Sequence, residues 1–357
     1  MCKSPLHGLL EALPKCENHI HLEGALTPSM VFELAAKNNV PLPDTPVYQS
    51  PKTLAERYEH FESLDDFLAI LSTNASVLVT EDDFHQLAWS YFVTAHADNV
   101  VHAEVSFDPQ AHTSRGIESD VVIRGFSSAC RRAESELGIS TRLIMGFMRD
   151  MPITSAEETL RSVQPYIEDG TIHGVGLDSS ETGFPPEPFS EVFNRAKQRG
   201  LRRTAHAGEE GGVAYLKGAL SSLPIERVDH GIKLVEDPDL MREVASKKTL
   251  LTICPLSNVR LNNVKSVEAL PLQEFLQAGV QFSINSDDPA YFGGNILSNY
   301  CAAQEAFNLS IDEWKKIGLA AINGSWAGNE RKEEILRQFS VVVNRFEQAV
   351  PLDIDGK

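Results

Sequence analysis

The side chains best able to do chemistry sit in four short motifs. His19 and His21 are one residue apart in ENHIHLEG, His206 opens HAGE, His230 lies in VDHG, and Asp287 lies in SDDP. On a strand, residues i and i+2 point to the same side, so His19 and His21 converge. A His-x-His pair alone carries little, because it also arises by chance. Three imidazoles and a carboxylate, here His19, His21, His206 and Asp287, would suit a borderline divalent ion, zinc first, with a position left for water. Iron or manganese would fit the same donors. Glu209 follows His206 by three residues. It is placed either as a general acid/base beside a metal-activated water or as an acid at a helix N-terminus. His206 alone could be an internal hydrogen-bond donor. Asp287 and Asp288 could be an N-cap pair before Pro289. His230 could orient the attacking water, and Asp288 could accept a hydrogen bond from substrate.

These residues need elements that bring them together. Eight short apolar runs alternate with helix-period segments: Lys15–Leu22, Val100–Phe107, Thr141–Met148, Ile172–Asp178, Leu201–Ala207, Arg227–Gly231, Thr249–Cys254 and Val280–Ser286. Helical spacing is clear in Pro28–Asn38, Glu81–Ala97, Phe189–Gly200 and Pro271–Gly279. Alternating strand and helix reads as parallel β/α units, and eight of them as a single-domain (β/α)8 TIM-type barrel spanning 1–357. The segment from about 25 to 99 reads as a helical insertion over the barrel mouth. The chain after Leu309 reads as closing helices, with a short polar tail over about 351–357. In such barrels the working residues lie at the carboxyl ends of the strands. His19, His21, His206, His230 and Asp287 all fall at those ends, a coincidence that scattered core histidines would not produce.

Composition narrows the partners. The formal charge is −18, which argues against binding a phosphate backbone. Hydrophobic residues make up 42%, enough for one large core. No run of 18 apolar residues occurs, so no membrane helix is expected. The five cysteines are odd in number and widely spaced, as in a chain kept reduced. The expected compartment is the cytoplasm, with the nucleus also open.

Taken together, His-x-His, HAGE, DHG and SDDP in this order resemble the adenosine/adenine deaminase branch of the metal-dependent amidohydrolases, over about residues 13 to 330. The resemblance implies one zinc ion on His19, His21, His206 and Asp287. It also implies that Glu209 protonates purine N1, that His230 assists the nucleophile and that Asp288 bonds purine N7. FDPQAHTSRG, GLDSSETGFPP, CPLSNVRL and SDDPAYFGG look like the fungal and bacterial adenine deaminases. Adenosine deaminases usually carry a glycine where this chain, in Asp178-Ser179-Ser180-Glu181, has Glu181. Ser180 and Glu181 are therefore expected substrate contacts, with Glu181 accepting an N–H of free adenine and repelling a ribose. An alternative is that Glu181 faces solvent or Arg115. The implied reaction is hydrolysis of adenine to hypoxanthine and ammonia, in purine salvage, by a zinc-activated water. The rivals are an adenosine deaminase, a deaminase of N6-substituted adenine or N6-methyl-AMP, and a non-catalytic metal-binding barrel. The N6-methyl-AMP reading needs a basic phosphate site, and no loop offers an obvious one.

Overall fold

The computed structural model describes residues 2–349. The polar tail expected at 351–357 lies outside them. Eight parallel strands pair in sequence order: β1 (Lys15–His21), β2 (Val100–Phe107), β3 (Ser140–Met148), β4 (Gly174–Asp178), β5 (Arg202–Ala207), β6 (Arg227–His230), β7 (Leu250–Ile253) and β8 (Phe282–Ile284). A parallel bridge between Ile20 and Asp287 brings the last strand's end to the first. There, His21 N–H donates to Asp287 O at 3.0 Å. The strands read as near-continuous buried runs because helices cover their outer side.

The anticipated strands are present, but several stop early. β8 ends at Ile284, where polar Asn285 and Ser286 begin to serve neighbours instead of the ladder. Asn285 Oδ1 accepts from Asn18 N–H at 2.8 Å, and Ser286 N–H donates to Glu17 at 3.0 Å. β1 ends one residue early, because Leu22 opens a 3-10 turn over Leu22–Ala25.

The insertion is helical, with Pro28–Asn38, Pro51–Tyr58, Leu64–Ala75 and Glu81–Ala97. Side-chain caps from Thr27, Ser50, Ser63 and Thr80 start all four helices. An aromatic cluster pins it to the loop after β8. Tyr58 and Tyr291 stack 4.2 Å apart, and Asn74 Nδ2 donates to both hydroxyls, at 2.7 and 3.1 Å. Helices Ile296–Phe307, Ile311–Gly324 and Asn329–Ala349 close the chain. Leu9, Leu13 and Cys16 pack with Ala321, Ile335 and Phe339 in a second apolar cluster near the start of β1. Among the described residues no helix is long and apolar enough to cross a membrane.

Candidate metal centre and active-site cavity

Three imidazole nitrogens and one carboxylate oxygen converge where β1, β5 and β8 end. His19 Nε2 lies 3.2 Å from His21 Nε2, and His21 Nε2 lies 3.3 Å from His206 Nε2. Asp287 Oδ1 is 3.2 Å from His19 Nε2 and 3.6 Å from His21 Nε2. A tetrahedral ion about 2.0–2.1 Å from its donors requires donor separations of roughly 3.3–3.4 Å. The spacing fits.

The tautomers fit as well. His206 Nδ1 faces the Leu177 carbonyl at 3.1 Å, and a carbonyl only accepts. Nδ1 therefore carries the hydrogen and Nε2 the lone pair. Thr252 Oγ1 donates to Asp229 Oδ1 at 3.0 Å, so it accepts from His19 Nδ1–H at 2.8 Å. His19 Nε2 is then a lone pair too. Two lone pairs crowding His21 Nε2 and an Asp287 oxygen call for a cation. Asp229, absent from the anticipated residues, organises this set. It also accepts from Thr204 Oγ1 at 2.7 Å and sits 3.8 and 3.9 Å from His19 and His206. Its place beside His230 in VDHG was the one available signal.

Backbone strain concentrates at the same rim. His230 and Asp287 hold φ of 62° and 64°, and Ser179 holds 69°. Left-handed conformations cost non-glycine residues about 1–3 kcal/mol each and persist where surroundings enforce them. His230 Nδ1 lies 3.2 Å from the Asn258 amide, which fixes the ring. Its Nε2 faces Glu209 Oε2 and Asp287 Oδ2, at 3.6 Å each. Burial lowers His230 to a pKa of about 3, so the ring is neutral.

Glu209 is buried, and its only hydrogen-bond donor among the described side chains is Asn263 Nδ2, at 3.2 Å. Burial, then the charges of Asp287 and Glu181, push its carboxyl well above the usual range. Asp288 occupies the N-cap position before Pro289, yet its side chain makes no cap bond. Burial and Asp287 push it up as well, and Oδ1 has no partner. In its protonated form Asp288 would have a hydrogen bond to donate rather than accept. Gly24 makes room for it, since a Cβ there would lie 2.1 Å from Oδ1.

Glu181 is the clear departure from expectation. Its carboxylate is buried, but it faces neither substrate space, solvent nor Arg115. Oε1 accepts from Gly208 N–H at 2.6 Å, and Oε2 from Glu209 and Gly211 N–H at 3.1 and 2.8 Å. Three backbone donors of the HAGEEGG loop, at 208, 209 and 211, hold the carboxylate in this pose. Gly211 is needed for this approach, because a Cβ there would meet Glu181 Cδ at 2.9 Å. Arg115 instead donates to carbonyls at 75 and 76.

Most of these groups open onto a cavity of about 380 Å³, within the range of small-ligand sites. His21, His206, Glu209, His230, Asp287 and Asp288 line it, as do Ser179 and Ser180; Glu181 does not. The inserted helix Leu64–Ala75 forms part of its wall through Leu64, Phe67, Leu68 and Leu71. Asp108 and Asp178, also unanticipated, add two buried carboxyls, each with an unpartnered Oδ1. Burial raises both, Asp178 to about 7. Asp108 had been visible only within FDPQ, where it reads as a turn residue before proline.

The chain is similar to known proteins over nearly its whole length. Adenine deaminase of Aspergillus oryzae is 52% identical over 352 residues, 98% of this chain and 100% of that protein. Adenine deaminase of Schizosaccharomyces pombe is 52% identical, covering 97% and 95% of the two chains. The crystal structure of an adenine deaminase from Arthrobacter aurescens superposes with a TM-score of 0.89 at 40% identity, over 93% of this chain and 100% of that one. The family model described as adenosine deaminase matches residues 14–341, so the chain belongs to the adenosine deaminase family.

Proposed function

We propose that this enzyme hydrolyses adenine to hypoxanthine and ammonia, and that the cavity at the strand ends is where it does so. Near-full-length identity to adenine deaminases supports the substrate. The observation that carries the chemistry is geometric: buried Glu209 lies with His230 beside the convergence of His19, His21, His206 and Asp287.

His19, His21, His206 and Asp287 would hold a divalent ion, which our reading of the N and O donors makes zinc over iron or manganese. Such an ion supplies a water whose pKa falls towards ~7, a nucleophile available at neutral pH. The chain's own groups do the rest. Glu209 gives its proton to ring N1, which drains electron density from C6. Neutral His230, held by Asn258, turns Nε2 towards the attacking water and orients it. Asp288, as an acid, donates to the N7 lone pair and fixes the ring's orientation. Ser180 lies on the cavity wall and is proposed to contact the purine's far edge. Against a nucleoside we place the discrimination at Asp108 and Asp178 in place of Glu181, because free adenine brings a ring N–H to their unpartnered oxygens where a nucleoside carries its sugar on that nitrogen. The proposed compartment is the cytoplasm, nucleus included, on the strength of the reduced thiols.

The test is a parallel assay of adenine, adenosine and N6-methyladenine with ammonia and ultraviolet readouts. Adenine should dominate. Equal or faster turnover of adenosine would overturn the free-base assignment.

A further inference from the structure

We propose that Cys2, His7 and Cys301 form a second metal site, for a soft divalent ion of the zinc class, at the end of the barrel away from the catalytic cavity. The three side chains come from the N-terminal segment, from helix His7–Ala12 and from helix Ile296–Phe307. Their donor atoms all lie within 4.8 Å of one another. His7 Nδ1 is 3.1 Å from Cys2 Sγ and 3.7 Å from Cys301 Sγ. With zinc at about 2.3 Å from sulfur and 2.0–2.1 Å from nitrogen, tetrahedral geometry sets the sulfur–nitrogen separation at roughly 3.6 Å.

The other face of the ring supplies an independent observation. His7 Nε2 lies 3.4 Å from Glu11 Oε1, one helical turn on. The contact is a proximity and not a hydrogen bond, and Nε2 is otherwise buried without a partner. A metal on Nδ1 would put the ring's hydrogen on Nε2, on the side of that carboxylate. In that tautomer Nδ1 has a lone pair aimed at two sulfurs. One lone pair cannot satisfy two thiols, whereas a cation satisfies all three donors. The approach is also braced, because Lys3 N–H donates to Glu305 at 3.0 Å, tying the N-terminal segment to the helix that carries Cys301. The neighbouring residue Tyr300 lies near Lys15 at the start of β1, which places the cluster beside the barrel's amino end. A metal here would clamp the N-terminus to the closing helices. A fourth position stays open to water, and no catalytic part is assigned to it.

The experiment uses the full chain, reduced and with its catalytic metal loaded. Zinc is titrated in, excess is removed, and bound metal is counted. Two zinc ions per chain are expected for the native chain, and one for Cys301→Ser and for Cys2→Ser, with adenine turnover within about twofold in all three. Cobalt added to the chain with only its catalytic zinc loaded should give a near-ultraviolet thiolate charge-transfer band that both variants lose. Glu11→Gln should weaken the second equivalent about 10- to 100-fold. A single zinc per native chain, a second equivalent that survives both cysteine substitutions, or a Cys2–Cys301 disulfide persisting under reductant would each overturn the site. Cys2 lies at the chain's edge, so Cys2→Ser keeps the test decisive even if Cys301→Ser folds poorly.

Discussion

Glu104 and Glu209 are both fully buried glutamates, at opposite ends of one barrel, and their surroundings drive them in opposite directions. Glu104, on β2, is met by Arg227, by His102 Nε2 at 3.2 Å and by the backbone N–H of Trp326. Arg227 in turn lies under the Trp326 ring, 4.1 Å from its centroid. Burial opposes the charge, yet Arg227 and His102 hold the carboxylate down at about 2. Glu209 has one amide donor and three acidic neighbours, Asp287, Glu181 and Glu210, and it is pushed up. The amino end answers each buried charge with donors and so keeps the fold. The carboxyl rim leaves acids underserved and backbone residues left-handed, and so keeps chemistry available.

The comparison breaks most sharply if the rim works without its cation. Exhaustive chelation should abolish adenine turnover, and added zinc should restore it. At a free zinc level 1,000 times Kd the ion should also stabilise the fold by about 4 kcal/mol. Full activity of verified metal-free protein would end the metal reading. Next, Glu209→Gln should lower kcat by about 10²–10⁴, the usual worth of a positioned acid, with the melting temperature kept or raised, since a strained acid is gone. The native profile of kcat/KM should fall on the alkaline side, as Glu209 must hold its proton. A profile still rising far above neutrality would contradict that.

At the other end the loss should be in stability. Glu104→Gln or Arg227→Met alone should cost about 3–5 kcal/mol in urea unfolding, because each leaves a buried partner unpaired. The double variant should recover much of that. The sign with pH follows from a folded pKa below the unfolded value. The contribution is complete above about 4.5 and is lost as pH falls from there towards about 2. That difference corresponds to about 3 kcal/mol. An acid transition unchanged by Glu104→Gln would show that the pair does not carry the floor.

Motifs with local chemistry were the legible part of this site. His19, His21, His206 and Asp287 could be read because alternation and strand ends dictate their side. The barrel followed from eight alternating runs. Helix Pro28–Asn38 begins and ends where its Thr27 cap and the left-handed Asn39 place it. What could not be read depends on which atom reaches which across the barrel. Asp229 looks like any strand residue until Thr204, Thr252 and two histidines surround it. Asp108 and Asp178 meet only because Gly146 leaves room, since a Cβ there would lie 2.0 and 2.1 Å from their oxygens. Glu181 was misread for the same reason. Its position was right, but its partner is a run of backbone N–H groups that no side-chain pattern announces.

Glu181 therefore gives the finest test of the contrast, because this rim acid has three backbone donors, yet burial still pushes its carboxyl up. Its three backbone bonds aim the loop that carries Glu209, and its charge helps hold that acid protonated. Glu181→Gln keeps one acceptor and turns an NH2 against the remaining N–H groups. Loosening the loop should lower kcat by about 10- to 100-fold, with KM within about twofold, as small displacements of a reacting group do. Loss of the negative charge should also let Glu209 ionise at lower pH, so the alkaline limb of kcat/KM should move down. Mere destabilisation would not move that limb. Preference for adenine over adenosine should stay as it was. If adenosine turnover appeared instead, the carboxylate would be guarding substrate space after all, and the discrimination would return from Asp108 and Asp178 to Glu181.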